Sequence, residues 1–590
     1  MAPSRFAFHA LVGIRRVVRN DQFVIVGLSI IVGCLSAFGA IAFREAIDIV
    51  QWLAFGYADV DLASHVAGMP WWQVVAVPTL GGLVIGILLR TTMPGGLPQG
   101  VPHVMEACAL RGGRMPLLPG IAAAVISATS LGVGSSTGRE GPVVHLGATL
   151  AAGIAHLLGM TANLSRTLLG AGVAAAVAAS FNAPIAGVFF ALEVVVGHYA
   201  LSAFAPIVMA SVTGTIVSRL YYGDFPAFVL PETFEIVSFW EFPAFALLGV
   251  ACAVVALGFM YAAIYADRWI SLLKIPLVVR PMAGGLVLGI MALAFPHILG
   301  VGYEATDAAL REALPLWLLF ALIVVKAVAT AISIGCRFGG GVFSPSLFLG
   351  AMTGGAFGYV ATQAAPDLSS GHGAYTLIGM GAVAAAVLGA PMSTILIVFE
   401  MTSDYELTAA LMVAVVIATV ITQQSVGHSL FSWQLDARGV RLQGGRETRV
   451  LSQIRVASIM KHDHTDIGPD ATPEEVIAAL NGARYGEVFV VEPETRRFLG
   501  IITIVEMARV EPGDTRTAGE LARRDTPILE VSDDVRAAMD MMDLAAESHI
   551  PVVESRDSER IVGFVHEHDV LLAYHRALLQ VRAEERGERV

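Results

Sequence analysis

The polarity of the chain changes once, near residue 435. Before that point apolar runs follow one another, near residues 23–43, 74–90, 117–131, 165–180, 184–197, 203–219, 240–265, 281–296, 315–334, 374–399 and 407–423. After it, from Asp436 to Val590, Arg, Asp and Glu recur as they do in an ordinary soluble domain. The runs predict membrane helices, for which about 20 apolar residues cross the hydrocarbon. Several are shorter than that, and Gly and Pro interrupt the chain at Pro98-Gln99-Gly100-Val101-Pro102, from Gly138 to Pro142 and from Gly339 to Pro345. Non-helical backbone at membrane depth is stable only inside protein or around a cavity. Any one such stretch taken alone also reads as a loop outside the bilayer. The boundary itself is set by charge, because Arg438, Arg441, Arg446 and Arg449 cannot lie in hydrocarbon.

An internal repeat decides between these readings. Pro142-Val143-Val144-His145-Leu146-Gly147-Ala148 matches Pro345-Ser346-Leu347-Phe348-Leu349-Gly350-Ala351 at an offset of 203 residues. Gly172, Ala183-Pro184 and Glu193 match Gly379, Ala390-Pro391 and Glu400 at an offset of 207. The membrane part is therefore read as two related halves, and duplicated transporters place their site near the midplane where broken helices meet. Each half supplies a Gly-rich turn, then a proline suited to the first helical turn, then a helix. Helix N-termini carry unpaired N–H groups and partial positive charge. Two of them, related by duplication, can converge on an anion.

The polar remainder is also duplicated. A helical segment from Thr472 to Leu480, a β-rich run Glu487–Val491 and a second run Phe498–Thr503 recur as Asp533–Leu544, Ile550–Val553 and Ile561–His566. Short strands alternating with helices predict α/β units.

Composition agrees with a membrane protein: of 590 residues 55% are hydrophobic and 15% charged, against about 25% charged in a soluble domain. The net charge of −12 carries little weight, because a pore responds to its local field. Cys34, Cys108, Cys252 and Cys336 show no metal spacing and read as packing thiols. Neither a nucleic-acid footprint nor a P-loop, metal cluster or nucleophile–base set is visible, so an enzyme is disfavoured. Arg5, Arg15, Arg16 and Arg19 precede the first run, which is too long for a signal-peptide core. By the positive-inside rule the N-terminus is cytoplasmic. The tail is expected to be cytoplasmic too, which requires an even number of crossings.

Three motifs carry a resemblance. Gly138-Arg139-Glu140-Gly141-Pro142, Gly340-Gly341-Val342-Phe343-Ser344-Pro345 and Phe181-Asn182-Ala183-Pro184 running to Glu193 resemble, in order and spacing, the pore motifs of the CLC family of chloride channels and anion/proton exchangers. The duplicated tail resembles a tandem pair of cystathionine-β-synthase-type (CBS) domains. The implied fold class is an all-α membrane domain of two inverted halves with broken pore helices, followed by an α/β CBS pair. The implied assembly is a homodimer with one pore per subunit, multi-pass in a plasma (inner) membrane. The expected division is a cytoplasmic segment 1–20, the membrane domain 21–435, a linker 436–451, CBS copies 452–513 and 514–577, and a charged tail 578–590.

The resemblance makes Glu140 the gate. Its carboxylate is itself an anion: deprotonated it blocks the path, and protonated or displaced it yields to chloride. A salt bridge to Arg139 is the plainer reading of the same residue. The backbone N–H groups around Gly138, Arg139, Gly141, Val342 and Phe343 are the expected anion ligands. Two positions depart from the family pattern. Gln99 stands where a serine hydroxyl is usual, and Phe431 where a tyrosine hydroxyl is usual. A third, Val194, follows Glu193 where exchangers commonly carry a proton-accepting glutamate. Valine carries no proton, so the expected function is gated transport of chloride or a similar small anion, as a passive voltage- or pH-gated channel. Anion/proton antiport, with Glu193 in the proton pathway, is the alternative. A non-conducting, membrane-tethered nucleotide sensor is a more distant one. His103, His145 and Glu400 are read as structural. CBS pairs often hold an adenine nucleotide, and Thr503, Glu506 and Asp569 occupy positions of that motif, although His566 replaces its second hydroxyl. Purely structural pairing of the copies is equally open, and no cofactor is required.

Overall fold

The computed structural model describes residues 21–58, 61–197, 199, 201–224, 236–440, 451, 454–511, 513–545 and 547–585. The arginines read as the N-terminal orienting charge, and Arg441, Arg446 and Arg449 of the linker, lie outside the described residues. The chain divides into two compact units, 1–442 and 443–590.

The first unit is helical. Its elements are α1 (Asp21–Phe55), α2 (Trp71–Thr92), α3 (Val101–Leu110), α4 (Leu117–Gly132), α5 (Glu140–Leu157), α6 (Ala162–Phe181), α7 (Pro184–Phe190), α8 (Leu201–Tyr222), α9 (Phe242–Leu272), α10 (Val279–Ala294), α11 (Tyr303–Leu310), α12 (Leu316–Gly335), α13 (Phe343–Ala364), α14 (His372–Leu388), α15 (Pro391–Thr402), α16 (Tyr405–Val426) and α17 (Leu430–Asp436). Seven helices among the described residues are long and apolar enough to cross a membrane, and shorter apolar helices lie between them. Their outward faces carry Leu53, Leu80, Leu247 and Val254, each more than 60% exposed, as hydrocarbon contact requires. Trp71, Trp72, Trp240, Trp269 and Trp317 are also exposed, the residue type that favours the headgroup level. The apolar run 374–399 is not one helix. Gly389 ends α14 in the left-handed conformation and Pro391 opens α15.

The duplication seen in the sequence is a duplication of packing. Glycine lets two helices touch backbone to backbone, which substitutes for hydrophobic attraction inside a bilayer. A Cβ on Gly147 of α5 would stand 2.5 Å from the carbonyl oxygen of Gly172 on α6, and one on Gly172 would stand 2.4 Å from that of Gly147. In the other half Gly350 of α13 and Gly379 of α14 meet in the same way, at 2.3 and 2.6 Å. The matched glycines are thus the crossing points of equivalent helix pairs. A third crossing, Gly82 of α2 against Pro281 on α10, holds the periphery, with a virtual Cβ 2.3 Å from the Pro281 carbonyl oxygen.

The second unit contains two three-stranded sheets with the same topology. In the first, β1 (Asp466–Ile467) pairs parallel with β2 (Glu487–Val491), which pairs antiparallel with β3 (Phe498–Thr503). In the second, β4 (Leu529–Glu530), β5 (His549–Val553) and β6 (Ile561–His566) repeat the order, with a register shift at the equivalent place. The helices are α18 (Pro473–Gly482), α19 (Ile504–Met507), α20 (Val535–Ala545) and α21 (Glu567–Glu585). Thr472 caps α18 in a reciprocal box with Glu475, the Thr-x-x-Glu pattern legible in the sequence. A buried cluster of Phe489, Val491, Phe498, Ile501, Val553, Ile561 and Phe564 draws on both sheets and joins the copies. Main-chain bridges Lys461 to Phe564 and Arg497 to Arg560 tie them further.

Candidate functional site

The two Gly-rich turns meet. Gly138 and Gly341 exchange both main-chain hydrogen bonds, each 2.7 Å long, so the turn before α5 and the turn before α13 form a minimal antiparallel bridge inside the first unit. Side chains would prevent this: a Cβ on Gly138 would lie 2.9 Å from the Ser344 nitrogen, and one on Gly141 3.0 Å from the Gly341 Cα. The bridge brings the N-termini of α5 and α13 side by side, and that of α3 faces the same space. Each has a proline in its first turns, Pro102, Pro142 and Pro345. First-turn N–H groups lack intrahelical partners and carry the positive end of the helix dipole.

A small cavity of about 40 Å³ lies where these ends converge. A water needs about 10–15 Å³ on that scale, so there is room for a few waters or one small anion. Its wall combines the α3 end (Gly100, Val101, Pro102), the α5 end (Glu140, Gly141, Val144), the α13 turn (Gly341, Val342, Phe343), Val177 of α6, Phe190 of α7, and Phe431 and Gln434 of α17. Phe343 packs against Phe181 and Phe190, with ring centroids 5.1 and 5.9 Å apart.

Glu140 is 2% exposed and sits on this wall. Three groups hold it. The Ser344 hydroxyl donates to one carboxylate oxygen. The Tyr303 hydroxyl donates to the other at 3.3 Å, and Arg139 Nε lies 3.8 Å away. The Arg139 guanidinium stacks over the Tyr303 ring at 4.8 Å, so its charge bears on Glu140 while its plane is held by the tyrosine. Tyr303 follows a turn clasped by Lys326, which is wholly buried and donates to the carbonyls of Ile298 and Gly300 at 3.0 and 2.9 Å. Sequence reading missed Tyr303, Ser344 and Lys326. Only Ser344 lay within a recognised motif, and no spacing in the sequence brings Tyr303 to Glu140.

The matched glutamates have a different task. Glu193 accepts hydrogen bonds from the main chain of Met392 and Ser393, at 3.1 and 2.9 Å, and from the Ser393 hydroxyl. Glu400 accepts from the main chain of Ile185 and Ala186, at 2.9 and 2.7 Å. Each half's glutamate therefore caps the helix that opens with Ala-Pro in the other half. A carboxylate on a helix N-terminus is the favourable sign. Glu193 lies in a π-helical turn, Ala191–Val196, that continues α7, and Val194 is buried beside it at 8% exposure.

Of the expected anion ligands, Gly141, Val342, Phe343 and Phe431 are on the cavity wall with Glu140. Gly138 forms the bridge behind it and Arg139 flanks Glu140 from the side. Gln99 is half-buried but off the wall, where its neighbours Gly100, Val101 and Pro102 stand instead. Gln434 is on the wall and had no motif to announce it. His103 accepts from the Gly100 main-chain nitrogen at 3.2 Å, across the start of α3, which makes it a helix-end residue.

In the tail, Thr503 and Glu506 bind each other. The Thr503 main chain donates to Glu506 at 2.9 Å, and the Thr503 hydroxyl both donates to that carboxylate and accepts from Val505. Asp569 pairs with Lys461 at 2.8 Å. A cavity within this unit, between Asp463, Tyr485, Phe489 and Phe564, measures about 10 Å³, the room of one water. The nucleotide-motif residues are thus engaged with protein partners, and none of the three lies on this cavity.

Comparison with known proteins accords with the geometry. The family model of the voltage gated chloride channel matches residues 81–423, and the CBS domain model matches 456–513 and 518–576. A ClcB-like protein of Ralstonia nicotianae is 32% identical over 407 residues, covering 68% of this chain and 94% of that one. Chloride channel protein CLC-e of Arabidopsis thaliana is 31% identical over 432 residues, covering 68% of this chain and 60% of its own. Among solved structures, a slow cyanobacterial Cl−/H+ antiporter superposes with a TM-score of 0.63 at 22% identity, over 70% of this chain and 97% of its own. A eukaryotic CLC transporter does so at 0.61 and 19%, over 93% and 99%. The membrane domain and the paired CBS domains that follow it therefore place this integral membrane protein in the CLC family of anion channels and transporters.

Proposed function

We propose that this protein passes chloride or a similarly small anion through the cavity at Glu140, passively and under the control of that carboxylate. The observation that carries the reading is the seat of Glu140: an anionic group held where three helix N-termini converge. What stabilises a carboxylate there stabilises a free anion of similar size. Protonation removes the charge that suits the helix ends, weakens the hold of Arg139 and lets the side chain leave. An anion from the membrane's other face then meets the same N–H groups. The apolar remainder of the wall strengthens these interactions by excluding water.

Passive conduction is supported by Val194, which carries no proton, and by the three hydrogen bonds that occupy Glu193. Antiport is the second reading, favoured by solved relatives described as Cl−/H+ and fluoride/proton antiporters. The proposed setting is a homodimer in a plasma membrane, with the N-terminus and the CBS tail in the cytoplasm.

The test is anion efflux from reconstituted liposomes with internal pH recorded, under an imposed chloride gradient and voltage clamped by ionophore. Chloride movement without uphill proton movement is expected. A fixed chloride-to-proton ratio would establish the antiport reading, and no flux of chloride, nitrate or fluoride would leave the non-conducting one.

A further inference from the structure

We infer that Gln434 is an anion ligand and sets which anion this cavity prefers. The inference rests on the reading that the cavity is the anion's path. Of the residues on the wall, two alone have polar side chains, Glu140 and Gln434. An ionised carboxylate only accepts hydrogen bonds. The Gln434 amide carries two N–H donors, so it is the side-chain donor the cavity offers an anion. It makes no hydrogen bond to any described residue, while Glu140 is held on three sides. Gln434 is half-buried on that wall, so its amide donors are not spent within the described protein and can turn to an anion in the cavity.

Its place in the chain explains how it reaches the site. Phe431 and Gln434 stand three apart on α17, a spacing that puts both on one helix face. Phe431 fills the wall without a donor, and the amide one turn later supplies two. The other glutamine expected to bind, Gln99, is off the wall. The donor lost from both usual positions is thereby restored from a third, with a flat amide in place of a hydroxyl.

Direct N–H donation matters most to the anion that loses most hydration on entering. Removing the amide therefore costs chloride more than the weakly hydrated nitrate or thiocyanate. The experiment uses the full chain in detergent and in liposomes. Chloride binding by calorimetry and chloride-to-thiocyanate flux ratios are measured for the wild type, Gln434→Met and Gln434→Glu. Gln434→Met keeps the length and removes the donors. Chloride affinity is expected to fall about tenfold, the effect of losing one hydrogen bond to a charged group, and the flux ratio to shift toward thiocyanate. Gln434→Glu, nearly the same shape, is expected to abolish chloride binding, and serves alone if the Met variant is not monodisperse. Affinity and flux ratio within twofold of the wild type in a folded variant would overturn the role of Gln434 and leave the path intact. A wild type that moves no anion would overturn both.

Discussion

Two carboxylates show how one residue type takes opposite roles. Glu140 is held on the cavity wall by a hydroxyl on each oxygen and by Arg139 at 3.8 Å. Glu140→Gln removes the competing charge. Its anion flux is expected to exceed the wild type severalfold near neutral pH and to be independent of pH, whereas wild-type flux rises as pH falls. Efflux measured across a pH series checks both. Glu487, in the tail, is buried against His549, whose Nδ1 lies 3.4 Å away. Burial first, and the Glu547 carboxylate second, push Glu487 up to about 7 against the pull of Arg523. Burial also lowers His549 to about 4, with His566 and Lys461 adding to it. Between those values both are uncharged, despite their contact. An unfolded glutamate titrates near 4.3, so the folded tail binds the extra proton and loses stability as pH rises from there through about 7. Glu487→Gln escapes that loss. Residues 443–590 form a compact unit with their own buried clusters, so their melting can be followed alone. The variant is expected to melt a few degrees above the wild type at pH 8 and level with it at pH 4.

At the scale of elements, broken helices serve two ends. The N-termini of α3, α5 and α13 open on the cavity, while those of α7 and α15 are closed by Glu400 and Glu193 from the opposite half. The first set faces the cavity where an anion is proposed to pass, and the second is satisfied by the protein's own carboxylates. Either cap, if truncated, strands one part-buried and one exposed main-chain donor, and the part-buried one costs about 1–3 kcal/mol. Glu193→Ala and Glu400→Ala are therefore expected to lower the thermal midpoint of the detergent-solubilised protein by similar amounts. Thermal unfolding followed by intrinsic fluorescence checks the symmetry. A large loss for one and none for the other would show that the two halves do not depend on these caps alike.

At the scale of the molecule, the membrane unit and the tail each repeat a single design twice. In the tail, Thr503 and Glu506 of the nucleotide motif bind one another and Asp569 binds Lys461. Ligand bound to the folded state at a hundred times its dissociation constant would raise stability by about 2.7 kcal/mol. Millimolar adenine nucleotide is expected to leave the melting point of residues 443–590 unchanged to within about 1 °C. A rise of several degrees would mean that the cleft opens and that a nucleotide enters it.

The amino-acid pattern by itself determined the change of solvent near residue 435, the two halves of the membrane part and the two copies in the tail. These are legible because each rests on local or periodic features: apolar runs, Gly-Pro turns, equal offsets, and strand runs such as Glu487–Val491, Phe498–Thr503 and Ile561–His566 that reappear residue for residue. Tertiary structure alone decided that Tyr303, 163 positions away, holds Glu140, that Glu193 and Glu400 cap each other's halves, and that Gln434 rather than Gln99 stands on the cavity wall. The physical reason is the same in each case. A hydrogen bond or a lining position depends on which side chains the packed helices bring within about 3 Å. In a bundle of broken helices that distance is set by crossings such as Gly147 on Gly172, between residues the sequence spaces but does not orient.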